Sequence, residues 1–140
     1  MPETLRRMPS TVQERWFAKL YLAMPLMIAA LSVFWIASGL IGLLSLDHAT
    51  PHLTQRGIPQ DLASVAVVLA SIVDILIGTL VLFQSRAKAA CISMIAVTAA
   101  YLAMGSLGAP ELWADPLGPY VKTIPAAMLA LVCAMLVKTR

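Results

Sequence analysis

The sequence predicts an all-α membrane protein, a bundle of four transmembrane helices preceded by a short N-terminal helix at the membrane interface. Hydrophobic residues make up 60% of the 140 residues and charged residues only 12%, whereas soluble domains carry about 25% charged residues. Apart from Asp74 and Lys122, the charged residues are also excluded from four long apolar blocks, each close to the roughly 20 residues that a spanning helix needs. These observations exclude a soluble globular protein, and the short connections predict one membrane domain over residues 1–140. The predicted spans cover about residues 25–46, 62–84, 89–107 and 117–137.

The ten basic residues are divided unequally between the two sets of span ends. Only Arg56 and Lys122 flank one set. Eight flank the other: Arg6, Arg7, Arg15, Lys19, Arg86, Lys88, Lys138 and Arg140. Basic residues concentrate on the cytoplasmic side of membrane proteins, so we expect both termini and the turn after the second span in the cytoplasm. A nucleic-acid partner would need a basic face with interleaved aromatic residues, which the sequence lacks.

The N-terminal helix is predicted from its capping residues and its mixed composition. Ser10 with Gln13, or alternatively Thr11 with Glu14, has the spacing of a capping box. Arg15 and Lys19 then stand four residues apart beside aromatic residues, a mixture typical of a helix lying in the interface. The sequence is equally compatible with an alternative in which this segment is a simple N-terminal extension of the first span. We begin the first span at Pro25, because proline is tolerated in the first turn of a helix.

The second span carries Asp74 at its centre. A carboxylate at this depth costs on the order of 3 kcal/mol and is tolerated where it faces a bundle interior or a water-filled cavity. Ser71, Asp74 and Gly78 share one helix face. Asp61 is the predicted N-cap of this span. We therefore expect the other spans to surround Asp74.

The first and third spans carry polar residues at a comparable depth. Trp35, Ser38 and Gly42 share a face of the first span, and Ser38 with Gly42 forms a small-xxx-small pair that lets another helix approach closely. The third span is rich in alanine, and Tyr101 lies in its outer half. A buried phenol needs a hydrogen-bond partner, so Tyr101 either finds one in the bundle or anchors the helix at the interface.

Three prolines crowd the entrance to the fourth span. If the helix starts at Asp115 and Pro116, then Pro125 falls inside it and kinks it. In that case Lys122 lies about 9 Å below the start of the helix. If the helix starts later, Lys122 extends to the interface from outside the bundle. Because of Pro116, Pro119 and Pro125, we expect a kinked or partly unwound entrance.

Counting 1.5 Å per residue places these polar side chains at similar depths. The sequence therefore permits one central ligand-binding cluster, formed by Trp35, Ser38, Ser71, Asp74, Tyr101 and, above the others, Lys122. We expect Asp74 to be hydrogen-bonded, with Trp35 and Ser71 as its partners. Three interpretations stay open: polar contacts that only hold helices together, a pocket for a small or amphipathic molecule, and a proton-accepting site.

The histidines and cysteines favour no metal or redox site. His48 and His52 are four residues apart, but Pro51 and the predicted loop around them disfavour a fixed metal geometry, so we expect no metal. Cys91 and Cys133 fall at similar depth near the cytoplasmic ends of their spans and belong to no C-x-x-C pair. We interpret them as packed thiols, with a redox role as the alternative.

Three segments are similar to segments of DoxX-like membrane proteins. They are WIASGLIGL at residues 35–43, DILIG at residues 74–78 and LWADPLGPYVKTIP at residues 112–125, which contains a D-P-L-G-P-x-x-K-x-x-P element. The resemblance covers about residues 13–140 and is strongest to the DoxX-like domain at the C-terminus of some bacterial NAD-binding epimerase-like proteins. It implies a four-helix bundle in a bacterial inner membrane and, as in some relatives, a link to redox chemistry with quinones and sulfur compounds. The seven glycines form no G-x-G-x-x-G motif, so the nucleotide-binding half is not part of the resemblance.

Three functions remain open at this point. The first is an accessory subunit that binds a small apolar ligand, a quinone or a lipid, around Asp74. The second is a small proton-coupled carrier or exporter, which would need a homo-oligomer to form a pathway. The third is a membrane enzyme acting on a lipid-soluble substrate, with Asp74 as acid or base and Tyr101 or Lys122 as the second group. Apart from a bound quinone or lipid we expect no cofactor, and the expected partners are the lipid bilayer, further copies of the chain and a redox protein.

Overall fold

The computed structural model describes residues 12–54, 57–108, 110–114 and 120–137. Every regular element in these ranges is helical. A short 3₁₀ helix, Pro110–Trp113, precedes the last of the α-helices. The α-helices are α1 (Val12–Leu44), α2 (Leu46–Thr54), α3 (Gln60–Leu80), α4 (Ala87–Gly108) and α5 (Thr123–Leu136).

Three of these helices are long and apolar enough to cross a membrane. They are α1, α3 and α4, with 33, 21 and 22 residues and mean hydropathies of 2.2, 2.3 and 1.8. The helix α5 is also apolar but has 14 residues, which extend about 21 Å and are shorter than the roughly 30 Å hydrocarbon core of a bilayer. The prediction of an all-helical membrane bundle is therefore confirmed, with a fourth helix shorter than the predicted span.

The helix α1 is continuous from Val12 to Leu44 and contains Pro25. The expectation of a separate N-terminal interfacial helix is corrected, because that segment and the first span form one helix, the alternative that the sequence left open. Proline inside a membrane helix is tolerated when neighbouring groups satisfy the carbonyl that it frees. The part of α1 before Ala23 is exposed on all sides, so the rest of the described chain covers it only loosely.

The connection between the first two spans is more ordered than expected. Its first half forms α2, so His48 and His52 lie in a helix and not in the loop that the sequence suggested. The next helix, α3, has Pro59 as its N-cap and begins at Gln60. The predicted cap, Asp61, lies instead in the first turn, where its negative charge is favourable because helix N-termini carry partial positive charge.

The spanning helices pack as two pairs, α1 with α3 and α4 with α5, and the contacts between the pairs are less extensive. Glycines allow the backbones of α1 and α3 to approach closely. A Cβ added at Gly78 would lie 3.0 Å from the Cβ of Trp35, and one added at Gly39 would collide with the carbonyl oxygen of Ser71. Small residues at such crossings are typical of membrane helix pairs.

The two pairs meet in one hydrophobic core near the turn that joins α3 to α4. Its buried members are Leu31, Trp35, Ile77, Val81, Ala90, Cys91, Met94, Ala130, Cys133 and Ala134. Because Arg86 and Lys88 are exposed beside this turn, we call this end of the molecule the basic end and the opposite end the far end. The helix α5 runs from the far end back to the basic end, where Val137 and Val81 line the same cleft.

Candidate functional site

The contact between α1 and α3 places a hydroxyl beside the predicted central carboxyl. Ser38 Oγ donates a hydrogen bond to Asp74 Oδ2 over 3.1 Å. Ser38 is exposed and Asp74 is half-buried, so the pair lies at the edge of the α1–α3 contact and not inside the core. The apolar residues one turn from Ser38 on α1, Phe34 and Ile41, are exposed. The pair therefore faces the layer that lipid would occupy.

Ser71 fills the centre of the same contact and is buried. Its carbonyl oxygen lies where a Cβ on Gly39 would be, and its Oγ lies where a Cβ on Gly42 would be. Gly39 and Gly42 stand about one turn apart on α1, as do Ser71 and Asp74 on α3. Because the two glycines carry no side chain, Ser71 and Asp74 lie close to the backbone of α1.

Trp35 lies one turn further toward the basic end and is only 6% exposed. Its indole Nε1 has no hydrogen-bond partner among the residues that the structure describes. The ring packs edge-on against Phe34, with centroids 6.4 Å apart. We expected Trp35 and Ser71 to be the partners of Asp74, and the structure corrects this, because the hydrogen bond comes from Ser38.

Tyr101 is placed in an aromatic cluster at the far end. Its ring lies edge-on to Tyr120, with centroids 5.8 Å apart, and Tyr120 also contacts Trp113 at 5.4 Å. The indole Nε1 of Trp113 donates to Ser106 Oγ over 2.9 Å. These contacts pack the 3₁₀ helix and Tyr120, which precedes α5, against the end of α4.

The structure does not bring Tyr101 to the Ser38–Asp74 pair. Asp74 lies six residues before the end of α3 at Leu80, about 9 Å from the basic end. Tyr101 lies 14 residues after the start of α4 at Ala87, about 21 Å from that end. The two residues are therefore offset by about 12 Å along the bundle axis.

Lys122 is exposed and serves as the N-cap of α5, which begins at Thr123. The amide of Thr123 donates to the carbonyl of Tyr120 over 3.2 Å, so residues 120–122 form a turn before the helix. The later of the two predicted starts is therefore the observed one, and Pro125 falls in the first turn, where it removes no helical hydrogen bond. Pro116 and Pro119, on which the rest of the kink prediction rests, lie outside the described residues.

A cleft of about 660 Å³ at the basic end is a feature that sequence reasoning missed. Its walls come from α1, the α3–α4 turn and the end of α5. The lining residues are Phe17, Leu20, Tyr21, Met24, Pro25, Ile28, Ala29, Val81, Leu82, Gln84, Ala87, Leu136 and Val137. The signal was present in α1, because Phe17, Leu20, Met24 and Ile28 recur at helical spacing on one face.

The remaining predicted groups form no additional site in the described part of the chain. Cys91 and Cys133 are free, buried thiols in the common core. No group of three or more His, Cys, Asp or Glu residues is placed to hold a metal ion within the ranges that the structure describes. The side chains of His48 and His52 lie outside the described residues.

Comparison with known proteins adds one positive result. A family model described as the DoxX-like family matches residues 32–131, more than two thirds of the chain. Comparisons with curated proteins and with solved structures gave no match. The matched range contains the Ser38–Asp74 pair and the aromatic cluster around Tyr120.

Proposed function

Because the chain belongs to the DoxX-like family of multi-pass membrane proteins, we propose that it is an accessory membrane subunit that binds a small apolar ligand. The ligand is a quinone or a lipid, and Asp74 and Ser38 hold its polar group. The protein works in the bacterial inner membrane. The observation that supports this proposal best is the partly exposed Ser38–Asp74 hydrogen bond among apolar, exposed side chains.

A polar pair in this position needs a polar partner. Uncompensated polar groups are costly in an apolar medium, and the hydroxyl of Ser38 occupies only part of the hydrogen-bonding capacity of a carboxyl group. A ligand hydroxyl could donate to Asp74, and a ligand carbonyl could accept from a protonated carboxyl. Quinones and lipids combine such groups with apolar bodies that suit the exposed apolar residues around the pair.

Trp35 supplies a second polar group close to the pair. Its Cβ lies beside Gly78, four residues along α3 from Asp74, or about 6 Å. Its unpartnered indole N–H is a donor without acceptor capacity. We assign Ser71 to the wall of the site, since its hydroxyl is covered by Gly42, and we give Tyr101 and Lys122 no role in holding the ligand.

The test is ligand binding by purified variants. Asp74→Leu should weaken binding of a short-chain ubiquinone, or retention of a lipid in native mass spectrometry, by about twofold to tenfold, the equivalent of one hydrogen bond worth about 0.5–1.5 kcal/mol. The matched control is Thr79→Val on the same helix, because Thr79 Oγ1 donates to the carbonyl of Ile75 in its own helix. Equal binding by Asp74→Leu and wild type, with both folded, would refute the proposal.

Asp74→Asn separates ligand holding from proton chemistry. The amide keeps the shape and hydrogen bonding of the side chain, so this variant should fold and still bind. If the protein is instead a proton-coupled carrier, Asp74→Asn should bind but fail to move substrate in reconstituted vesicles. The enzyme alternative is less supported, because it needs a second catalytic group and Tyr101 is offset by about 12 Å along the axis.

A further inference from the structure

The cleft at the basic end is distinct from the Ser38–Asp74 site, since none of its lining residues belongs to that site. We propose that this cleft binds one acyl chain of an anionic phospholipid, whose headgroup lies beside Arg86. The site is separate from the ligand site proposed above and does not depend on it.

The volume and lining of the cleft fit an acyl chain. About 660 Å³ falls within the range of roughly 300–1,000 Å³ that is typical of small-molecule sites. A helix about 10 Å wide with a pitch of 5.4 Å would fill this volume in about one and a half turns, too few for a partner helix to dock. The side chains are apolar except for Tyr21 and Gln84, so a flexible apolar chain can fill the cleft without burying polar groups.

The charge of the surrounding surface selects the headgroup. Four exposed basic residues flank this end in the described part of the chain: Arg15, Lys19, Arg86 and Lys88. Glu14 is the one acidic residue near them in the same ranges. Basic residues near a membrane surface attract anionic lipids by about 1 kcal/mol each. This complementarity favours an anionic phospholipid over a zwitterionic lipid or a neutral quinone.

Arg86 is the residue best placed for the headgroup. It stands in the turn between two lining residues, Gln84 and Ala87, and is exposed. Arg15 and Lys19 project from the side of α1 opposite Phe17 and Met24, because they differ from these residues by about half a helical turn. They add to the positive surface but do not border the cleft.

The experiment compares two lipids and two pairs of variants. Protein is reconstituted in equimolar phosphatidylglycerol and phosphatidylcholine, extracted gently and analysed by native mass spectrometry. Wild type should retain one phosphatidylglycerol per chain, with a preference of about fivefold or more, the equivalent of about 1 kcal/mol. Equal retention of the two lipids would overturn the assignment of an anionic headgroup.

The variants test the place of binding. Ala29→Phe fills the cleft from α1 and should abolish retention, whereas Ala30→Phe, an equal change at an exposed neighbour that does not line the cleft, should not.

Arg86→Gln should reduce retention about fivefold and Lys88→Gln less, although both remove one charge. Arg86 is exposed, so its replacement remains informative if Ala29→Phe does not fold. Identical retention by Ala29→Phe and Ala30→Phe, both folded, or by the two charge variants would refute the site.

Discussion

Gly39 sets how closely α1 can approach α3 at the level of Asp74. A Cβ at this position would collide with the Ser71 carbonyl and would lie 2.7 Å from Ile75 Cγ1. The first obstacle is backbone, which cannot rotate away as a side chain can. The hydrogen bond from Ser38 to Asp74 therefore depends on a residue that takes no part in it. Separation of α1 from α3 by even a fraction of an ångström would lengthen a bond that is already 3.1 Å.

At the residue scale we predict that Gly39→Ala destabilises the protein by about 1–3 kcal/mol, the range typical of overpacking. The added methyl group must push α1 away from α3, because the Ser71 carbonyl belongs to the helix backbone. Val65→Ile is the matched control, since it also adds one carbon, at an exposed position of α3, and should change stability little. Thermal unfolding in a mild detergent measures both. Equal stability of the two variants would show that the glycine contact is unimportant.

At the scale of elements, α5 is shorter than expected and is attached through aromatic packing. Tyr120, only 2% exposed, lies between Trp113 and Tyr101 and faces Gly105 on α4. The sequence alone favours the membrane interface for these aromatic residues, because tryptophan and tyrosine are enriched there. It did not indicate their mutual contacts, which depend on the turn at residues 120–122 and on the absence of a side chain at Gly105.

We therefore predict that Tyr120→Ala destabilises the far end of the α4–α5 pair by about 3–5 kcal/mol, the usual cost of removing a large buried aromatic side chain. Tyr120→Phe should cost much less, since both ring contacts remain. Tyr21→Ala is the control, because Tyr21 is 72% exposed. Hydrogen exchange in residues 101–108 should rise in Tyr120→Ala alone. If Tyr120→Ala and Tyr21→Ala unfold at the same temperature, the aromatic cluster does not stabilise α5.

At the scale of the whole molecule, the sequence was informative about helices and less so about their mutual arrangement. The predicted spans 62–84 and 89–107 agree with α3 and α4 within a few residues, because long apolar runs bounded by polar residues mark spanning helices clearly. The expected closeness of Ser38 and Asp74 within one cluster follows from helical periodicity on two neighbouring spans, but the sequence did not identify Ser38 as the hydrogen-bond partner of Asp74. Tyr101 was expected in the same cluster because depth was counted from separate helix ends, and an error of a few residues at each end adds up to about 10 Å.

The overall topology gives the last prediction. Three long helices alone would place the two ends of the chain on opposite sides of the membrane, so the position of the C-terminus depends on whether α5 crosses. In the structure α5 returns to the basic end, where Leu136 and Ala87 line one cleft, and the basic residues predict that this end is cytoplasmic. Reporter fusions at Lys88 and Arg140 should therefore be cytoplasmic, and fusions at Ala49 and Gly108 periplasmic. Periplasmic activity at Arg140 with cytoplasmic activity at Lys88 would show that α5 does not cross, and periplasmic activity at both would show that the orientation is inverted.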